Sequence, residues 1–413
     1  MAGTLTVGQL IPDVGTNLYL NAQQYGGNVV IGNATTQLFT FGTGSTLTAN
    51  VFTANTVTSN TVTATSVTAN VSSATVTTTA LNISGVGIGA GNASIMKNHL
   101  INGAMQVWQR GTTQTFTNAI VYGSVDRWAF IQGGGSASIS QTQSTSVPSG
   151  FQYSVKQQRT ASSTTTGTVY SLQEIESINC YDMAGQTATF SFWAKCGANF
   201  SASGSTLTSL VYQGTGTDQG TTSWISGTWT SPTSNTQSNT LTTTWQRFSQ
   251  TVTIGASTTE ILVSLQWVPV GTAGADDSVF FTGVQLEVGS NATGYEYENY
   301  TSLLQKCQRY YAKETSSTGY VGFGSGYLGG SNVANIYTKY PVTMRTAPTI
   351  AFSNLILIGG GTSGTVSTLG VYAGSDSALL APNTSTSPFT AYQGCALTGD
   401  SSGTGFLTLS AEL

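Results

Sequence analysis

The sequence predicts an all-β protein: a short N-terminal β head, a trimeric β-repeat shaft, a jelly-roll β-sandwich and a small C-terminal β tip domain. Three observations point there. A large apolar residue returns every five positions at Leu47, Phe52, Val57, Val62 and Val67, with Asn on the same beat at Asn50, Asn55, Asn60 and Asn70. Beyond Leu100, runs alternate polar and apolar residues, as in Thr189-Phe190-Ser191-Phe192-Trp193, the pattern of a strand with one buried face. Gly, Ser and Asn separate these runs, and the 49 glycines of the 413-residue chain suit tight turns between short strands.

Residues 1–45 alternate weakly (Leu5, Val7; Leu18, Leu20; Val29, Ile31) and carry too little apolar surface to stand without a partner. Residues 46–96 hold the five-residue repeat and a Gly-rich hinge over residues 85–95, with Gly85, Gly87, Gly89 and Gly91. An odd repeat throws successive apolar residues to opposite faces of a flat strand, so one strand cannot bury them. The chain must turn at every repeat or wind with copies of itself, and three-fold closure is the simplest cyclic solution. A single-chain β-helix is the alternative.

Residues 97–300 read as the jelly roll, with strands over Trp128–Gln132, Thr187–Lys195, Trp245–Ile254, Glu260–Val268 and Val279–Glu287. Trp193, Trp245 and Trp267 fall inside strand patterns and are expected in the core. A linker, 301–314, contains one helix over 302–314, because Leu303, Leu304, Cys307, Tyr310 and Tyr311 keep helical spacing and Ser302 with Gln305 makes a capping box. Residues 315–413 return to short strands, with Tyr320, Phe323, Tyr327, Ile336 and Tyr337 available to line a small β domain and Pro341 and Pro348 at strand ends.

Composition excludes several functions. Charged residues are 7% and the net charge is −4, against about 25% charged residues in ordinary domains. Nucleic acid and anionic membrane surfaces, which are held by Lys and Arg, are therefore excluded as partners. No membrane-spanning run and no secretory leader are expected. Cys180, Cys196, Cys307 and Cys395 lack paired spacing and read as free, partly buried thiols.

Catalytic signatures are sparse. His99 is the one histidine and sits by the Gly-rich joint, so neither a two-His metal site nor a Ser-His-Asp relay is expected. Glu174/Glu176, Asp276/Asp277 and Glu296/Glu298 are the paired carboxylates. The first could share a strand face as a glycosidase pair, but reads better as a solvated face. Asp276/Asp277 suit a turn, with a Ca²⁺ site as the alternative. Gly324-Ser-Gly326-Tyr-Leu-Gly329 matches GxGxxG without a strand-then-helix setting, so nucleotide binding is rejected. No cofactor and no metal are expected. Aromatic rings remain as a chemical resource, because sugar C–H faces stack on them. Trp224, Trp229, Tyr320 and Tyr327 lie in Gly/Ser/Thr-rich stretches that read as exposed, and they are the candidate ligand-binding residues; packing at a subunit interface is the alternative role.

Several segments resemble tail fibres and related virion proteins of tailed bacteriophages. Asn98-His-Leu-Ile-Asn-Gly-Ala-Met-Gln-Val-Trp-Gln-Arg-Gly111 is similar to the opening of a domain of that family, and Val125-Asp-Arg-Trp128 to the segment after it. Phe190-Ser-Phe-Trp-Ala-Lys195, Thr244-Trp-Gln-Arg247 and Gly283-Val-Gln-Leu-Glu-Val-Gly289 resemble strands of carbohydrate-binding-module-like jelly rolls. Leu304-Gln-Lys-Cys-Gln-Arg-Tyr-Tyr311 resembles the joint between that jelly roll and a tip domain. The resemblance implies a homotrimeric, non-enzymatic fibre on the virion tail. Its N-terminus would dock on a tail or adaptor protein, and its far end would meet host surface polysaccharide or protein. A head fibre or capsid decoration protein, and a glycan depolymerase, are the alternatives.

Overall fold

The computed structural model describes residues 97–116, 120–133 and 139–413. The chain divides into the units Met1–Thr78 and Thr79–Leu413, and the described residues all belong to the second. The expected head, shaft and hinge lie outside the described residues.

Twelve strands build a sandwich: β1 (Thr113–Phe116), β2 (Val121–Tyr122), β3 (Ala129–Gln132), β4 (Ile139–Ser144), β5 (Ser154–Arg159), β6 (Val169–Ile175), β7 (Thr187–Cys196), β8 (Thr206–Gly214), β9 (Thr233–Thr240), β10 (Gln246–Thr253), β11 (Glu260–Trp267) and β12 (Ser278–Val288). They form two antiparallel six-stranded sheets, ordered β1-β4-β5-β12-β7-β10 and β2-β3-β6-β11-β8-β9. Alternation decides which side chains face inward. In β7, Ala188, Phe190, Phe192 and Ala194 meet Ile261, Val263 and Leu265 of β11 in one core with Trp128 and Trp267. The outer face of the second sheet carries a separate apolar cluster, Ala129, Ile131, Leu172 and Leu262, roofed by Trp229 and Trp224. Helix α1 (Gly220–Ile225) supplies part of that roof. Trp193 and Trp245 are half-buried, not core residues. Lys195 Nζ sits 5.6 Å from the Trp245 ring centroid and 4.6 Å from that of Phe280.

A bulge interrupts the β12–β7 register between Thr282 and Gln285. Gly283 takes φ +61° there, and a Cβ would stand 2.6 Å from Phe151 Cζ, so glycine is required twice over. The Asn98–Gly111 segment docks along this stretch. His99 N donates to Leu286 O at 3.0 Å and Val284 N to Gly103 O at 3.0 Å. Leu286 N donates to Asn98 Oδ1 at 3.1 Å. Asn102 Oδ1 accepts from Gln106 N and Val107 N at 2.8 and 3.0 Å, which folds the following turn. His99 thus belongs to the sandwich and not to a hinge.

Helix α2 (Tyr300–Gln308) follows, then β13 (Tyr311–Thr315). The expected helix of 302–314 is shorter and starts earlier. Its cap is Asn299, whose Oδ1 accepts from Thr301 N at 2.9 Å, in place of the Ser302/Gln305 box. Apolar spacing continues past the helix because Tyr310 and Tyr311 are buried against a second domain. That domain comprises β14 (Gly322–Leu328), β15 (Ala334–Lys339), β16 (Thr349–Ser353), β17 (Leu355–Gly359), β18 (Thr362–Ala373), β19 (Ser377–Thr384), β20 (Gly394–Gly399) and β21 (Phe406–Ser410). Strands β14-β15-β19-β18-β17-β20 close a barrel, and β13-β21-β16 form a small sheet beside it. Phe323, Leu328, Ile336, Leu357, Leu380 and Leu397 fill its interior. Tyr320, Tyr327 and Tyr337 are exposed instead of lining it. All four cysteines are buried free thiols, as the spacing predicts.

Candidate functional site

The sandwich and the barrel are tied through ionic groups drawn from the Asn98–Gly111, Val125–Trp128 and Leu304–Tyr311 segments. The Arg127 guanidinium lies 3.6 Å from the Tyr310 ring centroid and Arg110 lies 3.5 Å from that of Tyr311. Arg110 and Arg127 clamp the two oxygens of Glu412, at 2.8 and 2.5 Å. Arg345 donates to Ala411 O and Glu412 O at 2.9 and 2.8 Å. Arg309 Nε and Nη2 reach the Glu176 carboxylate at 2.9 and 2.6 Å, and Tyr310 Oη donates to it at 2.8 Å. Burial would raise the Glu176 pKa, but these donors overcome it and hold the carboxyl below its ordinary value.

Beside this joint opens a cleft of about 540 Å³. Four separate stretches meet there: the Asn98–Ile101 start of the docked segment, the end of β6, the Ser177–Asp182 turn, and Lys306–Tyr310 at the end of α2. The turn gives the cleft its chemistry. After Glu176 the chain makes a single 3-10 turn, Ser177–Asn179, with no buried residues, so Ile178 and Tyr181 stand outward. Tyr181 is 75% exposed and Ile178 66%. Asp182 Oδ2 lies 2.9 Å from His99 Nε2, which fixes the imidazole against the cleft wall. The combination is an aromatic ring, an aliphatic side chain, a carboxylate and the Asn179 amide around one concavity. It presents an apolar stacking surface and both donors and acceptors, the requirements of a polyhydroxylated ligand.

Of the paired carboxylates, Glu174/Glu176 depart from expectation, while Asp276/Asp277 fall in the expected turn before β12. Glu174 and Glu176 are buried, not a solvated strand face. Burial pushes Glu174 up to about 7, although Gly220 N donates to its Oε1 at 3.1 Å. Asp277 forms a fully buried pair with Arg159 at 2.7 Å and also accepts from Ser201 N at 2.9 Å. Asp276 pairs with Lys156 at 2.9 Å. These oxygens are taken by protein cations and backbone amides, and among the described residues no group of three or more His, Cys, Asp or Glu could hold a metal. Gly324–Gly329 lies in β14 and its turn and is followed by another strand.

The four aromatic candidates do not meet. Trp229 is 3% exposed, donates through Nε1 to Gly220 O at 3.2 Å, and packs 5.2 Å from Tyr212. Trp224 is half-buried, edge-on to Tyr170 at 5.6 Å. The exposure expected of this pair is lost because the loop folds back over the outer face of the second sheet. Tyr320 and Tyr327 are exposed on the barrel domain. Sequence reasoning missed Tyr181 and Ile178; their signal was two large apolar residues in a short non-alternating break between two clear strands.

No protein-family model matches this chain, and no curated protein matches it. Solved structures match parts of this chain. The enzymatically active domain of tailspike protein 4 of bacteriophage CBA120 is 14% identical over 47% of this chain and 22% of that one, with a TM-score of 0.30. A family 4 carbohydrate-binding module is 18% identical over 46% of this chain and 98% of the module, at a TM-score of 0.26. A family 61 carbohydrate-binding module, solved with β-1,4-galactotriose, is 14% identical over 46% of this chain and 99% of that one, at 0.27. Among the described residues no helix is long and apolar enough to cross a membrane.

Proposed function

We propose that this chain is a structural virion fibre, a homotrimeric phage tail fibre that adsorbs to host surface glycans through the cleft between the sandwich and the end of α2. The observation that carries the reading is the outward placement of Tyr181 and Ile178 on the rim of a polar cleft of about 540 Å³. The sugar would stack its C–H face on that rim while Asn179, Asp182 and Lys306 bond its hydroxyls. The repeat over Leu47–Val67, whose seam one strand cannot bury, supports the trimer. The resemblance of Asn98–Gly111 and Leu304–Tyr311 to tail-fibre segments supports the virion tail as its place, with residues 1–45 docking on a tail or adaptor protein.

The chain is proposed to bind and not to cleave. Glu174 and Glu176 both line the cleft, but Glu176 is engaged by Arg309 and Tyr310, and Glu174 is buried with Oε1 accepting from Gly220 N, which supports binding over cleavage. The test is adsorption of the whole protein to host cells and to a saccharide array. Tyr181→Ala with Asn179→Ala should sharply weaken adsorption and abolish array binding of those saccharides that the cleft holds, while the melting temperature holds. Undiminished binding by that variant overturns the cleft assignment. New reducing ends released from host polysaccharide, and lost in Glu174→Gln/Glu176→Gln, would establish a depolymerase instead. A monomeric mass in solution overturns the trimer.

A further inference from the structure

A second concavity, about 380 Å³, lies on the outer wall of the barrel, remote in sequence from the Tyr181 cleft. Strand register builds it. Tyr337 of β15 and Tyr372 of β18 are both paired with Leu379 of β19, the strand between them. Their neighbours Ile336, Thr338, Ala378 and Leu380 point into the barrel, so Tyr337 and Leu379 point out. Tyr337 is 62% exposed and Tyr372 71%. Two strand spacings of about 4.8 Å separate the strands that carry the rings, leaving half-buried Leu379 as a floor between two aromatic walls. Tyr327, opposite Asn335, extends the same face by one diagonal step.

The next row of this face is Lys339 opposite Ser377. Every other Lys and Arg of the chain has an ion pair, a hydrogen bond or a ring contact; Lys339, among the described residues, has none. The neighbouring carboxylate, Asp376, accepts instead from Thr343 Oγ1 at 2.6 Å. Gly374 leaves the wall beside Ser377 open, since a Cβ there would meet nothing nearer than Ser377 O at 3.6 Å.

We infer that this groove is a second saccharide site, selective for a sugar that carries a carboxylate, with the pyranose ring on Leu379 between Tyr337 and Tyr372 and the acid group on Lys339. A neutral sugar would use the rings and leave the ammonium unused. A self-association of this face would bury Lys339 without a partner, which is costly. The inference stands whether or not the Tyr181 cleft holds a glycan.

The whole chain is titrated with tetrasaccharides containing glucuronate, galacturonate or N-acetylneuraminate and with neutral counterparts of the same length. At least one acidic tetrasaccharide is expected to bind tenfold or more tightly than its neutral counterpart. Tyr337→Ala and Tyr372→Ala should each weaken it tenfold or more, and Lys339→Gln should erase the acid preference while neutral affinity holds. Asp376→Asn should tighten acidic binding. Tyr181→Ala should leave it unchanged, which separates this groove from the cleft. Equal affinities for acidic and neutral sugars, no binding at all, or an intact acid preference in Lys339→Gln would overturn the inference. A fall in assembly mass in Tyr337→Ala, with no saccharide bound by the parent chain, would assign the face to a second copy and overturn it too.

Discussion

Arg127 lies face-on to Tyr310, its guanidinium carbon 3.6 Å from the ring centroid. Arg127 lies near the start of the sandwich and Tyr310 just past α2, and Glu412, just beyond β21, completes the contact. Burial alone would lower the Arg127 pKa; Glu412, Tyr310 and Tyr122 more than reverse this and keep the guanidinium charged. The same burial pushes the Tyr310 hydroxyl up to about 12, so it remains a donor to Glu176.

Removing the stack should loosen the barrel from the sandwich. Arg127→Ala leaves Glu412 buried with one cation fewer, and breaking a buried pair costs about 3–5 kcal/mol. Arg127→Lys should recover little of this, because an ammonium cannot lie flat on the ring and bond Glu412 together. Thermal unfolding should show a lower transition in both variants, with proteolysis enhanced near Arg309–Thr315. An unchanged transition in Arg127→Ala would mean that the joint rests on apolar contacts alone.

Stability should respond to pH with opposite signs on the two sides of mild acidity. Burial raises Glu174 from 4.5 to about 7 and Asp126 from 3.8 to about 6, the latter despite Arg110 and Gln109. In that window the folded chain holds protons that the unfolded chain has released, so stability falls as pH rises through it. Glu176 acts the other way: its pKa is lowered, so its contribution is lost as pH falls through its folded value. For Glu174 the effect is on the order of 3 kcal/mol at most. Denaturant midpoints from acid to neutral pH should decline toward neutrality in the parent chain and decline less in Glu174→Gln.

Much of the sandwich was legible because its core-facing residues recur at every second position. Phe190 and Phe192 alternate with Thr and Ser, and Ile261, Val263 and Leu265 keep the same period around Leu262 and Ser264; each faces the core. Helix α2 was legible in kind but not in extent. Leu303 and Cys307 face Val107 on a helix, while Tyr310 and Tyr311 owe their burial to the joint and to β13. The second layer over β6 and β11 was not legible, since Trp224 and Trp229 sit in a Thr- and Gly-rich loop whose destination depends on contacts across the fold. The cleft was least legible: it exists only where four stretches converge, and although Asn98–Ile101 and Lys306–Tyr310 lie in recognisable segments, nothing local brings them to the Ser177–Asp182 turn.

Trp229 should prove structural. It is buried against Tyr212 and bonded to Gly220 O, so Trp229→Ala should destabilise the chain by about 3–5 kcal/mol. Trp224→Ala, at a half-buried ring, should cost less. Saccharide binding measured well below the unfolding transition should be unaltered in both. Loss of binding in a fully folded Trp229→Phe variant would return that residue to the ligand surface.

The Asp276/Asp277 turn should be insensitive to calcium. Asp277 has both oxygens committed, one to Arg159 and one to Ser201 N, and Arg159 Nη2 donates to Ser163 O, Thr165 O and Gly271 O at 2.9, 2.7 and 3.0 Å. A Ca²⁺ ion would have to displace a buried guanidinium that pins three loop carbonyls. Adding calcium or a chelator should leave the melting temperature unchanged. Asp277→Asn should lower it strongly, since it strands Arg159 in the interior, whereas Asp276→Asn, which loses only the more exposed pair with Lys156, should shift it slightly. A calcium-dependent rise in the parent chain that vanishes in Asp276→Asn would show that the turn rearranges to take a metal.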